Sequence, residues 1–179
     1  TPVEIMLDST WLSNIKPEHV LVSQALIRKG EFVKGIYTHK DNIQLLNINS
    51  LEGLMDFSAT SSKNWQMDWD ILQEMNIETY PVVKYSQMLK MVMAKRVDFL
   101  LDEFSSKDDL SQLGDNVYLV PVPNIKVSFN DSRHILVNKH QKNALLIYNA
   151  LEKGLSALRQ DGTIKEAYQK SGFINKRTE

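Results

Sequence analysis

Cysteine is absent from the 179 residues, and with it every disulfide, thiolate nucleophile and thiolate metal site. The compartment stays open, because a secreted protein with an adequate core needs no disulfide. No apolar run approaches the roughly 20 residues that a membrane-spanning helix requires, so the chain does not read as membrane-spanning. Neither sign of charge is in excess. Lys plus Arg number 21 against 22 Asp plus Glu, a net charge of -1, so no field gathers nucleic acid or an anionic membrane surface. His19, His39, His134 and His140 are scattered and lack metal-ligand spacing. No G-x-S-x-G, H-E-x-x-H or phosphate-loop pattern occurs, and there is no internal repeat or low-complexity tract. Catalysis is therefore unsupported, and no metal or cofactor is implied. The remaining composition, 42% apolar and 24% charged, is enough for a real core in one domain or two small lobes.

The chain is organised around Leu54–Lys63, a short extended run that breaks into hydroxyl residues just before a helix predicted over Asn64–Met75. In that helix Trp65, Trp69 and Leu72 recur at the spacing of one buried face. Ser61 or Ser62 is placed to cap it by accepting a bond from a free backbone N–H of the first turn. A strand entering a helix start also offers free N–H groups and the positive end of the macrodipole, a ready site for a carboxylate or phosphate.

In chain order, Val3–Leu7 reads as a strand ending in the polar Asp8-Ser9-Thr10 before Trp11, and Pro17 prevents a long helix after it. The stretch to about Lys29 is mixed. Phe32–Thr38, with Gly35 inside it, suits a strand that bends or crosses between lobes, and Asp41–Asn49 is a polar connection. Ser50-Leu51-Glu52-Gly53 reads as one helical turn stopped by Gly. Thr79–Val83 is a short strand. Ser86 then caps a helix with Leu89, Val92 and Met93 on one face and Met88, Met91 and Met93 as packing. Val97–Leu101 is a buried strand closed by Asp102 and Glu103. This strand–helix–strand–helix–strand order predicts an α/β lobe with a mainly parallel sheet, whose ligands sit at the carboxyl ends of the strands. Both the Ser61-Ser62 turn and the Asp102-Glu103 pair fall at such ends. Further on, Val117–Val120 runs into Pro121 and Pro123 as a strand leaving its sheet, and His134–Val137 is one more strand. A helix carrying the stripe Leu145, Tyr148, Leu151, Leu155 and Leu158 follows. Asp161-Gly162 then turns into a last helix capped by Thr163 and running to about Lys170.

Four of these segments carry a family resemblance. Ser50-Leu51-Glu52-Gly53 matches an S/D-L-x-G, the Ser61-Ser62 turn stands at a G-T-T position, and Lys95-Arg96-Val97-Asp98 matches a G-R-x-D before a strand. Leu155–Thr163 matches a closing L-x-x-L-x-x-D-G-T. In this order and at these separations the sequence resembles the periplasmic solute-binding proteins of ABC importers, in the family that binds polar amino acids. The resemblance implies an α/β fold of the type II periplasmic binding class, two lobes with mixed, mainly parallel sheets. It places lobe two at residues 37–122 and lobe one, discontinuous, at 1–36 plus 123–179. It also implies that lobe one is incomplete, because the family has a βαβ portion before the strand matching Val3–Leu7. The open sheet edge that this leaves invites swapping or dimerisation. The chain opens with Thr-Pro-Val rather than with Met and a basic leader. The expectation is a removed signal peptide or longer N-terminal segment, or a piece of a longer protein.

Carried across residue by residue, the ligand-gripping Arg of lobe one falls on Lys16, a point charge in place of a planar fork. The small hydroxyl residues before it fall on Ser9 and on Trp11, which offers an aromatic plane instead. The helix-start pair falls on Ser61, Ser62 and Lys63, without the family's glycine. The acid that takes a ligand ammonium falls on Glu103, or on Asp102 if the register slips by one. What the resemblance implies is a periplasmic protein, not an enzyme, that captures a small polar solute for an ABC permease. A sensory input domain with a signalling partner shares the fold, and a dehydratase-like enzyme would use Lys16 with Glu103 as its acid–base pair.

Overall fold

The structure, a computed structural model, describes residues 8–114, 116–171 and 173–178. The strand expected at Val3–Leu7 lies outside the described residues. In chain order the elements are β1 (Asp8–Trp11), β2 (Val20–Ile27), β3 (Val33–His39), α1 (Ile43–Leu46), β4 (Ala59–Ser61), α2 (Gln66–Glu74), β5 (Thr79–Pro81) and α3 (Tyr85–Met93). They continue with β6 (Phe99–Asp102), β7 (Gln112–Gly114), β8 (Val117–Pro121), β9 (Val127–Ser128), β10 (Arg133–Asn138), α4 (Ala144–Gln160) and α5 (Thr163–Lys170). They form two compact units. One holds the described residues up to Phe32 with Ser128–Ser171, and the other holds Val33–Val127 with residues 173–178.

The second unit is built on a mixed sheet in the order β5-β4-β6-β3-β8-β7. Its strand–helix–strand–helix–strand stretch is present as β4-α2-β5-α3-β6, with β4 parallel to both β5 and β6. β3 then runs antiparallel to β6 and β8. Bonded on both sides in this way, β3 stays whole within the second unit, whereas the sequence put a lobe boundary after residue 36. Residues 173–178, expected with lobe one, also return to this unit. Asn175 Nδ2 donates to the Ser105 carbonyl at 2.7 Å and Arg177 donates to the Lys107 carbonyl at 2.8 Å. Tyr37, Val92, Val97, Leu100, Val117 and Leu119 form the core, with Met91, Met93 and Phe104 packed against it. A Cβ at position 35 would lie 2.7 Å from Phe104 Cε1, so any side chain there would push the Phe104 ring aside. Asp98, the acid of the Lys95–Asp98 motif, ties two strand entries together. Its Oδ2 accepts from the Ser58 N–H at 2.8 Å, and its Oδ1 from Asn42 Nδ2 at 3.2 Å.

The helices of this unit end alike. After α2 the Asn76 N–H bonds the Gln73 carbonyl and the Ile77 N–H bonds the Leu72 carbonyl, with Asn76 at φ 54°. After α3 the Lys95 N–H bonds Val92 and the Arg96 N–H bonds Met91, with Lys95 at φ 54°. Both are Schellman motifs, which satisfy the last carbonyls and fold the residue two past the cap back over the helix.

Their starts differ from expectation. α2 begins after Trp65, with no side-chain cap, because the chain first closes a turn through the Trp65 N–H on the Ser62 carbonyl at 2.9 Å. Neither serine caps the helix, and its buried positions are Asp68 and Leu72, with both tryptophans only half-buried. Likewise Lys84, not Ser86, precedes α3, which buries Met88 and Val92. The polar connection contains α1, whose first turn is capped when Asn42 Oδ1 accepts from the Leu45 N–H. Gly53 lies inside a 3-10 turn, Glu52–Asp56, rather than stopping one.

The first unit is a three-stranded antiparallel sheet, β1-β10-β2. β2 fills the stretch that reads as mixed, because its residues bury only in part and so never alternate cleanly. α4 packs on β2. The Gln24 N–H donates to Glu152 Oε1 at 2.6 Å, and Arg159 donates to the Ala25 and Leu26 carbonyls, each at 2.7 Å. Of the predicted stripe Leu155 is buried, whereas Leu145 and Leu158 are exposed by 64% and 42%. At the α4–α5 turn Gly162 holds φ 83°, and Asp161 Oδ1 accepts from the Thr163 N–H at 2.9 Å. Asp161 thus takes the capping part expected of Thr163.

Candidate functional site

Three strands of the second unit end together. β4 and β6 are parallel and β3 is antiparallel to β6, so Ser61 and Asp102 at two carboxyl ends share one edge of the sheet with Lys34 near the amino end of β3. Gly35 pairs with Asp102 in the ladder, and the charge of Lys34, one residue earlier, is felt at that carboxylate.

Lys34 is buried and central. Its Nζ donates to Asp68 Oδ1 at 2.7 Å, and it lies 5.2 Å from the centroid of the Trp65 ring. Trp65 in turn packs on Tyr85, with ring centroids 5.9 Å apart. The Tyr85 hydroxyl donates to Asp102 Oδ2 at 2.5 Å, while Asp102 Oδ1 accepts from the Glu103 N–H at 3.0 Å. Burial pushes the Asp68 carboxyl above the ordinary range against the pull of Lys34. Burial does the same to Asp102, opposed by the Tyr85 hydroxyl and Lys34. The Tyr85 phenol is held well above its usual range by burial and by the Asp102 carboxylate beside it.

Ser61 is 3% exposed, and its Oγ has no hydrogen-bond partner among the described residues. A buried hydroxyl without a partner is uncommon and invites explanation. Ser62 is also buried, its Oγ accepting only from the Asn64 N–H at 3.2 Å. Lys63 is exposed, with Nζ 5.2 Å from the Trp69 ring centroid. Glu103 is exposed just past β6, whereas Asp102 is the buried acid. Lys34, Asp68 and Tyr85 were not singled out from sequence, and Trp65 was read only as part of a buried helix face. The available signal was a lone Lys inside the apolar run Phe32–Tyr37 and an Asp between Met67 and Trp69.

In the first unit Trp11 on β1 sits opposite Arg133 of β10, and Ser9, two residues earlier on β1, opposite Ile135. Arg133 Nε donates to Ser9 Oγ at 3.1 Å, and its guanidinium carbon lies 5.7 Å from the Trp11 ring centroid. Trp11 also packs on Phe32, at 5.3 Å between centroids. The cation meeting these two residues is thus Arg133, which sequence reading passed over. Lys16 is exposed at the turn before Pro17–His19.

This end of the sheet thus gathers one cation, two carboxylates, a phenol, an indole and an unpartnered hydroxyl. Among the described residues no base lies within hydrogen-bond reach of Ser61 Oγ. Among the described residues no group of three or more acids or histidines could hold a metal ion, and no helix is long and apolar enough to cross a membrane.

No family model and no curated protein matches the sequence. Solved structures do match. An arginine 3rd transport system periplasmic binding protein from Legionella pneumophila aligns over 94% of this chain and 73% of its own, at 16% identity and a TM-score of 0.60. The probable amino-acid ABC transporter extracellular-binding protein YtmK from Bacillus subtilis aligns over 86% of this chain and 63% of its own, at 15% identity and 0.59. The L-cystine solute receptor of Neisseria gonorrhoeae aligns over 89% and 63%, at 19% identity and 0.53. The chain thus spans less than two thirds of the length of the latter two. With its mixed sheet and helix-linked parallel strands, this chain has the type II periplasmic binding protein-like fold.

Proposed function

We propose that this protein captures a small, polar, amino acid-like solute outside the cytoplasm and hands it to an ABC permease. One observation carries the reading: a buried lysine between two buried carboxylates, with an unpartnered serine hydroxyl, at the sheet edge where β4 and β6 end. Open α/β sheets take their ligands at that edge. The structural neighbours, two named as binding proteins of transport systems and one as an L-cystine solute receptor, support it. In this proposal Ser61, Ser62 and Asp102 contact the solute, Asp102 rather than Glu103 being the acid. Lys63 flanks the site, and within the first unit Ser9, Trp11 and Arg133, in place of Lys16, offer a further polar and aromatic surface for a solute. Output to a sensor partner instead of a permease would use the same solute site, and sequence adjoining this chain separates the two.

The test is a thermal-shift screen of the whole chain against amino acids, amines and small carboxylates. A solute at one hundred times its dissociation constant stabilises by about 2.7 kcal/mol, a shift of roughly 5–10 °C for a chain of this size. A flat screen, with Asp102→Asn and Ser61→Ala leaving every later binding isotherm unchanged, rejects the proposal.

A further inference from the structure

We propose a second ligand site, on the face of α3 away from the Lys34 cluster, that takes a small amphiphilic monoanion: an apolar body carrying one carboxylate. A groove of about 510 Å³ is lined there by Val82, Gln87, Lys90, Met91, Ala94 and Arg96. None of these belongs to the site described above, and the inference does not depend on the solute-binding reading.

Gln87, Lys90, Met91 and Ala94 stand at helical spacing, so they form one continuous stripe of α3. Val82, following β5, forms the opposite wall. Arg96 is fixed by the Schellman motif, whose 3.0 Å bond from the Arg96 N–H to the Met91 carbonyl folds it back over the stripe. The lining contributed by Val82, Met91 and Ala94 is apolar, and Met adapts its shape to apolar guests.

Charge then selects the guest. The ionisable lining residues are Lys90 and Arg96, both cations, and among the described residues neither has an ion pair. Neighbouring Lys95, outside the lining, is the one that pairs, with Asp41 at 3.4 Å. Two free cations over an apolar lining are complementary to a carboxylate with an apolar tail. The volume falls in the range of small-molecule pockets. Strand addition at the adjoining edge is blocked, since β5 is three residues long and ends in Pro81, which has no N–H to offer.

The experiment is isothermal titration of the whole chain with decanoate below its micellar concentration, beside neutral decanamide. Expected is saturable binding of decanoate with one site per chain, weakened about ten-fold or more in decanamide, in Lys90→Gln/Arg96→Gln and in Ala94→Glu, as loss or reversal of charge complementarity requires. Absence of saturable binding overturns the proposal, as does equal affinity for decanamide or unchanged binding by both variants. So does an acidic peptide that binds in a Lys90- and Arg96-dependent way where decanoate does not. The decanamide comparison needs no variant. Repeating the amino acid screen on Lys90→Gln/Arg96→Gln separates failure here from failure of the solute site.

Discussion

Lys34 Nζ donates to Asp68 Oδ1 at 2.7 Å, and each side chain is 9% exposed. The pair joins the first turns of β3 and α2 across the sheet edge where the candidate solute site lies. Its energetics follow from desolvation. Two charges removed from water roughly repay each other, but either one alone does not. Asp68→Ala should therefore cost about 3–5 kcal/mol, whereas Lys34→Met with Asp68→Leu should regain most of that loss. Urea unfolding of the two single variants and the double variant measures the coupling directly, and additive losses would contradict it.

Asp102 gives a pH signature. Burial raises its carboxyl above the unfolded value, so the folded state holds the proton more tightly. Its contribution to stability is then fully present below the ordinary carboxylate range and is lost as pH rises through the raised value. The difference in Tm between wild type and Asp102→Asn should move in favour of wild type as pH falls from neutral toward about 4. Asp68 titrates in both proteins and largely drops out of the difference. A difference independent of pH, or one of opposite slope, refutes the assignment.

Ser61 should separate stability from binding. A buried hydroxyl without a partner costs about 1–3 kcal/mol, so Ser61→Ala should leave the solute-free protein as stable as wild type or more stable by about 1 kcal/mol. The same change should weaken solute capture. A variant that is both less stable and equally good at binding would assign the hydroxyl to packing alone.

Lys95 sits where the resembling motif carries glycine, and it holds φ 54°. A side chain in that region is strained, and Gly relieves it at some cost in unfolded-chain entropy. Lys95→Gly should raise stability by about 0.5–1 kcal/mol, read as a higher urea midpoint at unchanged slope.

The departures at the helix starts show where sequence reading stops. A serine before an amphipathic helix is a cap by local rules, and those rules placed Ser61 and Ser62 correctly at the end of β4. Whether a hydroxyl turns to the helix or into the sheet edge depends on how the chain leaves the strand, and the turn closed by Trp65 on Ser62 decided that. In the same way the acids at the end of β6 were visible as a pair, but burial distinguishes Asp102 from Glu103. Strand alternation assigns one residue to each face, and only the strand's register says which.

By itself the sequence determined the order of elements from β4 to β6, the parallel pairing that order imposes, and the absence of thiol chemistry. These follow from periodicity, from the handedness of strand–helix–strand crossovers and from composition, all properties of neighbours along the chain. Only the tertiary structure joined Lys34 to Asp68, Tyr85 to Asp102, and Arg133 to Ser9 and Trp11. Those contacts link residues far apart in sequence whose charges are worth burying only once their partners arrive, and no local rule carries that information.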